Sequence, residues 1–378
     1  MDYISINDCC EILDSQRIPV TESERIKGPY PYYGANGIQD YVDNYIFDDE
    51  LVLVAEDGGH FGSRTKPIAY RVSGKCWVNN HAHVLKPKDF INVDYLCYAL
   101  MFYDTGELIK GATRQKLNQK DLRSMKIPNL NIKEQLVIVK ELNNIFNAIN
   151  ISNEKLEYFD ELIKSRFIEL FGTIDMSLQD ENWKPLSELS KIYTVTTPST
   201  SNEENWNGNI LWVTPAELNI DSFYIFDTER KITNVGKRSK SLDLMPVGTV
   251  LLSTRAPIGK VAIVAKPMCC NQGFKNFFLN EKMNPIFLYV LLKHNTDYLN
   301  SLGTGTTFKE ISKTCAGKIK VPCPNIDLQN EFAEFVKLID KSKFDDYSRY
   351  FLCDILTLAS STSAYSSVVS IFVWPNIC

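Results

Sequence analysis

A chain of 378 residues is too long for one ordinary domain and suits two of about 150 to 180 residues, each with enough apolar content for its own core. The composition, 44% hydrophobic and 23% charged, is that of a soluble globular protein. A formal charge of −5 speaks against a nucleic-acid partner only as an average, because phosphate contacts depend on local lysine and arginine.

In chain order, a first unit opens at Ile4-Ser5-Ile6-Asn7-Asp8. It runs through strand-like stretches at Glu50 to Ala55 and Lys75 to Leu85, broken by turns such as Asp57-Gly58-Gly59. Asp94 to Phe102 is expected to form a short helix. A basic stretch follows, with Lys110, Arg114, Lys116, Lys120, Arg123 and Lys126 against Asp121 alone, and it closes at Pro128. From Lys133 to Phe171 there is no glycine or proline. Positions Ile138, Leu142, Ile145, Ile149, Ser152, Leu156, Phe159, Ile163, Arg166 and Leu170 form a heptad seam seeking a partner helix. The alternative is packing against the helix's own domain. At 1.5 Å per residue the rod is roughly 58 Å long, and Gly172 is its expected stop.

The second unit opens at Lys184-Pro185-Leu186-Ser187-Glu188-Leu189 and repeats the plan, with strands at Gly248 to Ser253 and Val261 to Ala265 and a helix at Pro285 to Leu292. Its basic stretch holds Arg230, Lys231, Lys237, Arg238 and Lys240 against Glu229. Gly305 to Pro322 restates Gly111 to Pro128, with Gly305 standing 194 positions after Gly111, and the match continues through Asn131-Ile132 and Asn325-Ile326 to Gln135 and Gln329. Phe332, Val336 and Ile339 restart the helical seam. Lys343 then stands where Ile149 would be repeated, and the Ser-rich stretch from Asp345 to Cys378 has no counterpart. The expected division is therefore 1–132 and 173–326 as two strand-rich α+β domains, 133–172 as a long helix, 327–344 as a truncated second helix, and 345–378 as an atypical tail too interrupted to span a membrane.

Candidate chemistry is sparse. Asn284-Pro285-Ile286-Phe287 resembles an amino-methyltransferase motif, but its repeat counterpart Asn92-Val93-Asp94-Tyr95 favours an Asn helix cap with proline in the first turn. His81 and His83 near Cys76 suggest a metal only weakly, since Gly273, Lys275 and Met268 occupy the equivalent positions. Structural or base-contacting histidines are the better reading. No phosphate-binding loop follows Gly303, and no catalytic triad is evident. Cys9-Cys10 and Cys269-Cys270 are adjacent pairs, no C-x-x-C occurs, and no signal segment follows Met1, so free thiols in a reducing cytoplasm are expected.

Over residues 1 to 344 the chain resembles the specificity subunit of type I restriction-modification systems. The resemblance rests on Tyr32-Tyr33-Gly34-Ala35-Asn36-Gly37-Ile38 with Tyr41-Val42-Asp43, and on Ser253-Thr254-Arg255-Ala256-Pro257-Ile258-Gly259-Lys260 with Asn271-Gln272-Gly273-Phe274. The Gly-x-Thr loops and the proline-closed strands before long helices complete it. It implies an α+β fold with two target recognition domains in inverted orientation, separated by long coiled-coil-like helices, each domain reading one half of a split site in double-stranded DNA. It also implies two methyltransferase subunits using S-adenosylmethionine and motor-nuclease subunits using ATP and Mg, while this chain carries no catalytic residue, metal or cofactor of its own. An inactive or altered allele, a self-contained DNA-modifying enzyme and a tandem-repeat scaffold for protein partners are the competing readings.

Candidate DNA contacts in the first module are Asn36, Arg64, Lys66, Asn79, Asn80, His81, Arg114 and Lys116. In the second they are Arg230, Lys231, Lys237, Arg238, Arg255, Lys260, Asn271, Gln272, Lys275, Thr307 and Lys309. Each could equally serve a solvated surface. Tyr30, Tyr32 and Tyr33 are open to stacking on DNA or to a turn-side core. Helix pairing or subunit docking is assigned to Ile138, Leu142, Ile145, Ile149, Leu156, Phe159, Ile163 and Leu170.

Overall fold

Each half of the sequence closes around its own core in the computed structural model. The structure describes residues 2–63, 65–111, 115–178, 180–218, 223–255, 257–305 and 309–361, with side chains beyond residue 343 outside that description. Two compact units result, Met1–Ile151 with Arg349–Cys378, and Ser152–Ser348.

In the first unit, β1 (Tyr3–Ser5) leads into α1 (Ile6–Cys9), whose start is capped by Ser5 Oγ accepting the Asp8 amide at 3.2 Å. Next come β2 (Cys10–Ile12), the hairpin of β3 (Lys27–Gly34) and β4 (Gly37–Val42), then β5 (Phe47–Ala55), β6 (Ala69–Val78) and β7 (Ala82–Pro87). They form one sheet in the order β2-β7-β5-β6-β3-β4, antiparallel except where β3 meets β6. Strand alternation sorts β5 between two cores. Val52 and Val54 pack with α2 (Val93–Met101), while Leu51 and Leu53 join Val72, Val78 and Val84 on the other face. Then α3 (Gln119–Ser124) precedes β8 (Lys126–Pro128), which pairs back on β1 with Ile127 opposite Ile4.

The second unit repeats this plan. It begins with β9 (Lys184–Pro185), α5 (Leu186–Leu189), β10 (Ser190–Tyr193), β11 (Trp206–Val213), β12 (Tyr224–Ile225), β13 (Arg230–Ile232) and α6 (Asn234–Ser239). β14 (Val250–Thr254), β15 (Ile258–Val264), β16 (Cys269–Cys270) and β17 (Phe274–Leu279) follow, forming sheets ordered β10-β17-β14-β15-β12 and β13-β11-β16. The helices α7 (Pro285–Lys293), α8 (Thr296–Ser301) and α9 (Lys313–Lys318) lead to β18 (Lys320–Val321), which pairs with β9 as β8 pairs with β1. Asn284 caps α7 through the amides of Ile286 and Phe287, just as Asn92 caps α2 through Tyr95, so the Asn-Pro pair is a helix start.

The repeated glutamines explain why the two phrases extend past their prolines. Gln135 is fully buried. Its Oε1 accepts the Asn92 amide at 2.7 Å, while Nε2 donates to the carbonyls of Phe90 at 3.0 Å and Leu130 at 2.8 Å. Gln329, also fully buried, does the same with the Asn284 amide and the carbonyls of Lys282 and Pro324, at 2.9, 2.9 and 2.8 Å. One amide side chain thus ties a capped helix, a loop and the start of a long helix together in each unit.

Those long helices are α4 (Ile132–Phe171) and α10 (Ile326–Ser361). The first ends where expected, with Gly172 at φ +84°. Its seam does not serve one partner helix along its whole length. Ile138 and Leu142 lie in the first unit's core with Ile145 packed against it, Ile149 is 47% exposed, and Leu156 and Phe159 are half-buried. Ile163, with Leu170 packed beside it, belongs to the second unit's core. Helix pairing occurs in that second stretch. Phe167 meets Phe332 edge-on at 5.5 Å, Arg166 reaches Glu331 at 3.5 Å, and Lys343 donates to Asp160 at 2.7 Å. Because 160 meets 343 while 167 meets 332, the two helices run antiparallel.

Lys343, which interrupts the apolar repeat, is therefore a cross-helix ion-pair partner rather than a defect. Burial alone would raise the Asp160 carboxyl, but Lys343 and Lys293 hold it below the ordinary range. The helical backbone of α10 continues to Ser361, so the seam's apolar pattern ends at Lys343 while the helix does not. Among the described residues no helix is long and apolar enough to cross a membrane.

Candidate nucleic-acid interface

The same short loop joins two strands in each unit, β6 to β7 in the first and β16 to β17 in the second. Asn79 Oδ1 accepts the His81 amide at 2.8 Å, and Asn271 Oδ1 accepts the Gly273 amide at 2.9 Å, each closing a tight turn between two strands. The Asn79 and Asn271 amides donate to the carbonyls of Tyr33 and Val213, which fixes each turn to the neighbouring strand. The residue between, Asn80 in one unit and Gln272 in the other, is left exposed at the apex.

A second loop joins each turn. The amides and carbonyls of Lys110 and Lys116 exchange hydrogen bonds at 3.1 and 2.9 Å, and Thr304 and Glu310 do so at 3.1 and 2.9 Å. Each pair closes a hairpin that opens at Gly111 (φ +103°) or Gly305 (φ +124°), a conformation that excludes most side chains and explains why glycine recurs there. The closing rung is fastened to the sheet through Leu117 to Glu56 and Ile311 to Thr254, at 2.8 and 3.1 Å. Glu56 and Thr254 in turn bond to the carbonyls of His81 and Gly273, both at 2.8 Å. Turn, strand end and hairpin thus form one frame, used twice.

Around this frame the predicted contacts divide. Asn80, Lys116, Arg255, Gln272 and Lys309 are exposed, and His81 is half-exposed with Nδ1 2.6 Å from Asp57. Gln272 Oε1 accepts a hydrogen bond from Thr197. Asn36 is exposed and donates to the Gly58 carbonyl at 2.9 Å, while Lys66 is exposed on the following loop. Asn79 and Lys275 require correction. They are 3% and 4% exposed, with Asn79 Nδ2 donating to Gln39 and Lys275 Nζ donating to Thr254 and Glu310, so neither offers its head to a base edge. Asn271, half-buried, spends its oxygen on the turn, and Lys260 Nζ donates to the Pro215 carbonyl at 3.0 Å. Arg64, Arg114 and Thr307 lie outside the described residues.

The second basic stretch sits on β13 and α6. Arg230 is exposed and stacks over the Trp206 ring at 3.9 Å, a pairing that sequence reading missed because no local spacing links the two. Lys231 pairs with Asp227 at 3.4 Å, Lys237 is half-buried, and Arg238 is exposed with Nε on the Asn234 carbonyl. Of the tyrosines, Tyr32 is a core residue whose hydroxyl donates to the Val20 carbonyl, Tyr33 is half-buried against Tyr70, and Tyr30 packs on Tyr45.

His81, His83 and Cys76 do not converge. Cys76 lies in a separate core cluster, whereas His83 is fully buried with Nδ1 2.7 Å from Asp14 and Nε2 2.8 Å from the Leu117 carbonyl. Asp14, Glu56 and His83 are close enough to share a cation. However, Arg17 reaches Glu56 at 2.7 Å and Lys116 reaches it at 2.9 Å, so the carboxylates already have cationic partners. Burial alone would raise both carboxyls. Hydrogen bonds from His83 to Asp14, and from Lys116 and Arg17 to Glu56, instead hold both below the usual range.

A carboxyl with a lowered folded-state value is protonated more readily in the unfolded chain. The stability that this cluster contributes is therefore present at neutral pH and lost as the pH falls below about 4. Urea unfolding of the first unit should weaken between pH 7 and that range, and Asp14→Asn should flatten the dependence. Identical pH profiles for the two proteins would contradict it.

Fold and site together define a tandem-module protein, two copies of one α+β frame whose exposed rim residues differ. The chain belongs to the family of type I restriction modification DNA specificity domains, whose family model matches residues 1–158 and again 180–345. It is 34% identical over 184 residues to the type I restriction enzyme MjaIX specificity subunit of Methanocaldococcus jannaschii, covering 47% of this chain and 43% of that protein. The MjaVIII specificity subunit of the same organism is similar at 22% identity over 382 residues, covering 90% of this chain and 86% of that protein. A crystal structure of a type I restriction-modification S subunit from M. genitalium superposes with a TM-score of 0.56 at 15% identity, spanning all of this chain and 95% of that one, which establishes a common fold. The chain spans less than half the length of the MjaIX subunit in their alignment.

Proposed function

We propose that the chain is the sequence-reading component of a type I restriction-modification complex, with each unit reading one half of a bipartite site in double-stranded DNA. The observation that carries this is the repetition of one turn-and-hairpin frame holding different exposed side chains. Asn80 and the half-exposed His81 occupy it in the first unit, and Arg255, Gln272 and Lys309 in the second. Amide and guanidinium heads of this kind pair with adenine and guanine edges, and lysine meets phosphate. A repeated frame with unlike heads suits two unlike half-sites. Methyl transfer with S-adenosylmethionine and ATP- and Mg-dependent cleavage then belong to methyltransferase and motor-nuclease subunits, in keeping with the family and with a frame built of binding groups.

Duplex binding by the full chain, followed by fluorescence anisotropy, should weaken steeply between 50 and 200 mM salt as counterions are released, losing about tenfold or more. Arg255→Ala should relax base preference in one half of the selected site and leave the other intact. Salt-independent binding, or loss of preference in both halves together, would overturn the reading.

A further inference from the structure

The foot of the hairpin carries an ion pair in both units, with its polarity reversed. In the first unit the acid belongs to the sheet and the base to the hairpin: Glu56, following β5, meets Lys116 at 2.9 Å. In the second, the base belongs to the sheet and the acid to the hairpin: Lys275 on β17 meets Glu310 at 3.2 Å and Thr254 Oγ1 at 3.1 Å. Lys116 and Glu310 are equivalent, since each closes its hairpin through the same two backbone bonds. The sheet-side partners differ in place as well as sign. Glu56 occupies the position of Thr254, and Lys275 occupies that of His83, whose Nε2 faces the carbonyl of Leu117 beside the same hairpin.

The sheet-side charges are withdrawn from water, with Glu56 12% and Lys275 6% exposed at the side chain, and the hairpin-side partners are half-exposed. A charge held that far from solvent needs counterions, Glu310 for Lys275 and Lys116 together with Arg17, at 2.7 Å, for Glu56, and removing one is costly. We propose that these two pairs are matched locks that position each unit's reading frame, so that each half-site's recognition depends on its own pair and the two hairpins cannot be exchanged. A hairpin ending in lysine placed on the second unit would set like charges together at Lys275, and one ending in glutamate would do the same at Glu56. Unlike charges select the correct hairpin while like charges reject the wrong one. The groups held in place are those nearest the rung: Arg255, bridged to Glu310 through the backbone, Gln272 beside Gly273, and Lys309. This inference rests on the DNA-reading function proposed above and assigns Glu310, Lys275, Glu56 and Lys116 as positioning residues within it.

The test is selection from a randomised double-stranded DNA library by the full-length chain, scoring the base preference of each half of the enriched motif. Glu310→Lys should weaken preference in one half by about tenfold, the size of one lost base-pair contact, with the other half unchanged. Adding Lys275→Glu should restore it by re-forming the pair with reversed polarity. Glu310→Gln, which keeps the shape and one acceptor, should give a smaller loss in the same half, and it serves if the charge reversal impairs folding as judged by circular dichroism melting. A wild-type chain that enriches no two-part motif would overturn the DNA-reading function itself. A two-part motif in wild type with both halves weakened equally by Glu310→Lys, with neither weakened, or with no recovery in the folded double variant, would overturn the lock alone.

Discussion

Replacing Gln329 by leucine is expected to destabilise the second unit by about 3 kcal/mol, because three part-buried backbone groups lose their partner at once. The Asn284 amide and the Lys282 and Pro324 carbonyls are all satisfied by this one side chain, which is fully buried. Leucine has similar bulk and returns none of those bonds, so each group bears a desolvation cost of about 1–3 kcal/mol. Urea unfolding, with the transition assigned to each unit separately, measures the effect. Gln135→Leu should produce the same loss in the first unit and spare the second. A change below about 1 kcal/mol would mean that the backbone relaxes to satisfy itself and that the repeated glutamine is not structural.

Phe167→Ala is expected to cost about 4 kcal/mol, through lost burial and the cavity left behind. Phe167 is fully buried, with ring centroids 5.0 Å from Phe171, 5.2 Å from Phe287 and 5.5 Å from Phe332. These rings come from α4, α7 and α10, so one truncation loosens both the core and the antiparallel helix pair. Tyr158→Ala, on the same helix at 69% exposure, should change stability little and provides the control. Equal melting shifts for the two variants would argue that the aromatic cluster does not hold α10 in place.

Much of this was legible in the chain because it is written in local spacing. The extent of α4 follows from an uninterrupted apolar periodicity and a terminal glycine, and the α7 cap follows from an asparagine before a proline. The candidate interface was legible only in part. Asparagine at 79 and 271 promises a base contact as readily as a turn, and only the bonds to His81 and Gly273 show that the oxygen is already used, leaving the neighbour to face outward. Lysine at 275 looks like any other basic residue of the second unit until Thr254 and Glu310 are found around it.

The amino-acid sequence by itself determined that the molecule is built twice, where each copy begins, and which residues recur in register, because repeats, caps and periodicities depend on neighbours along the chain. Tertiary structure alone decided which of the recurring polar residues are spent and which are presented. Lys343 breaks a seam in sequence and completes an ion pair with Asp160 in space. Lys116 and Glu310 conflict in alignment, yet each is balanced by a charge distant in the chain and of opposite sign to its own, Glu56 just after β5 and Lys275 on β17. The reason is physical: burial and Coulomb pairing are set by distance through space, and the fold must close before those distances exist.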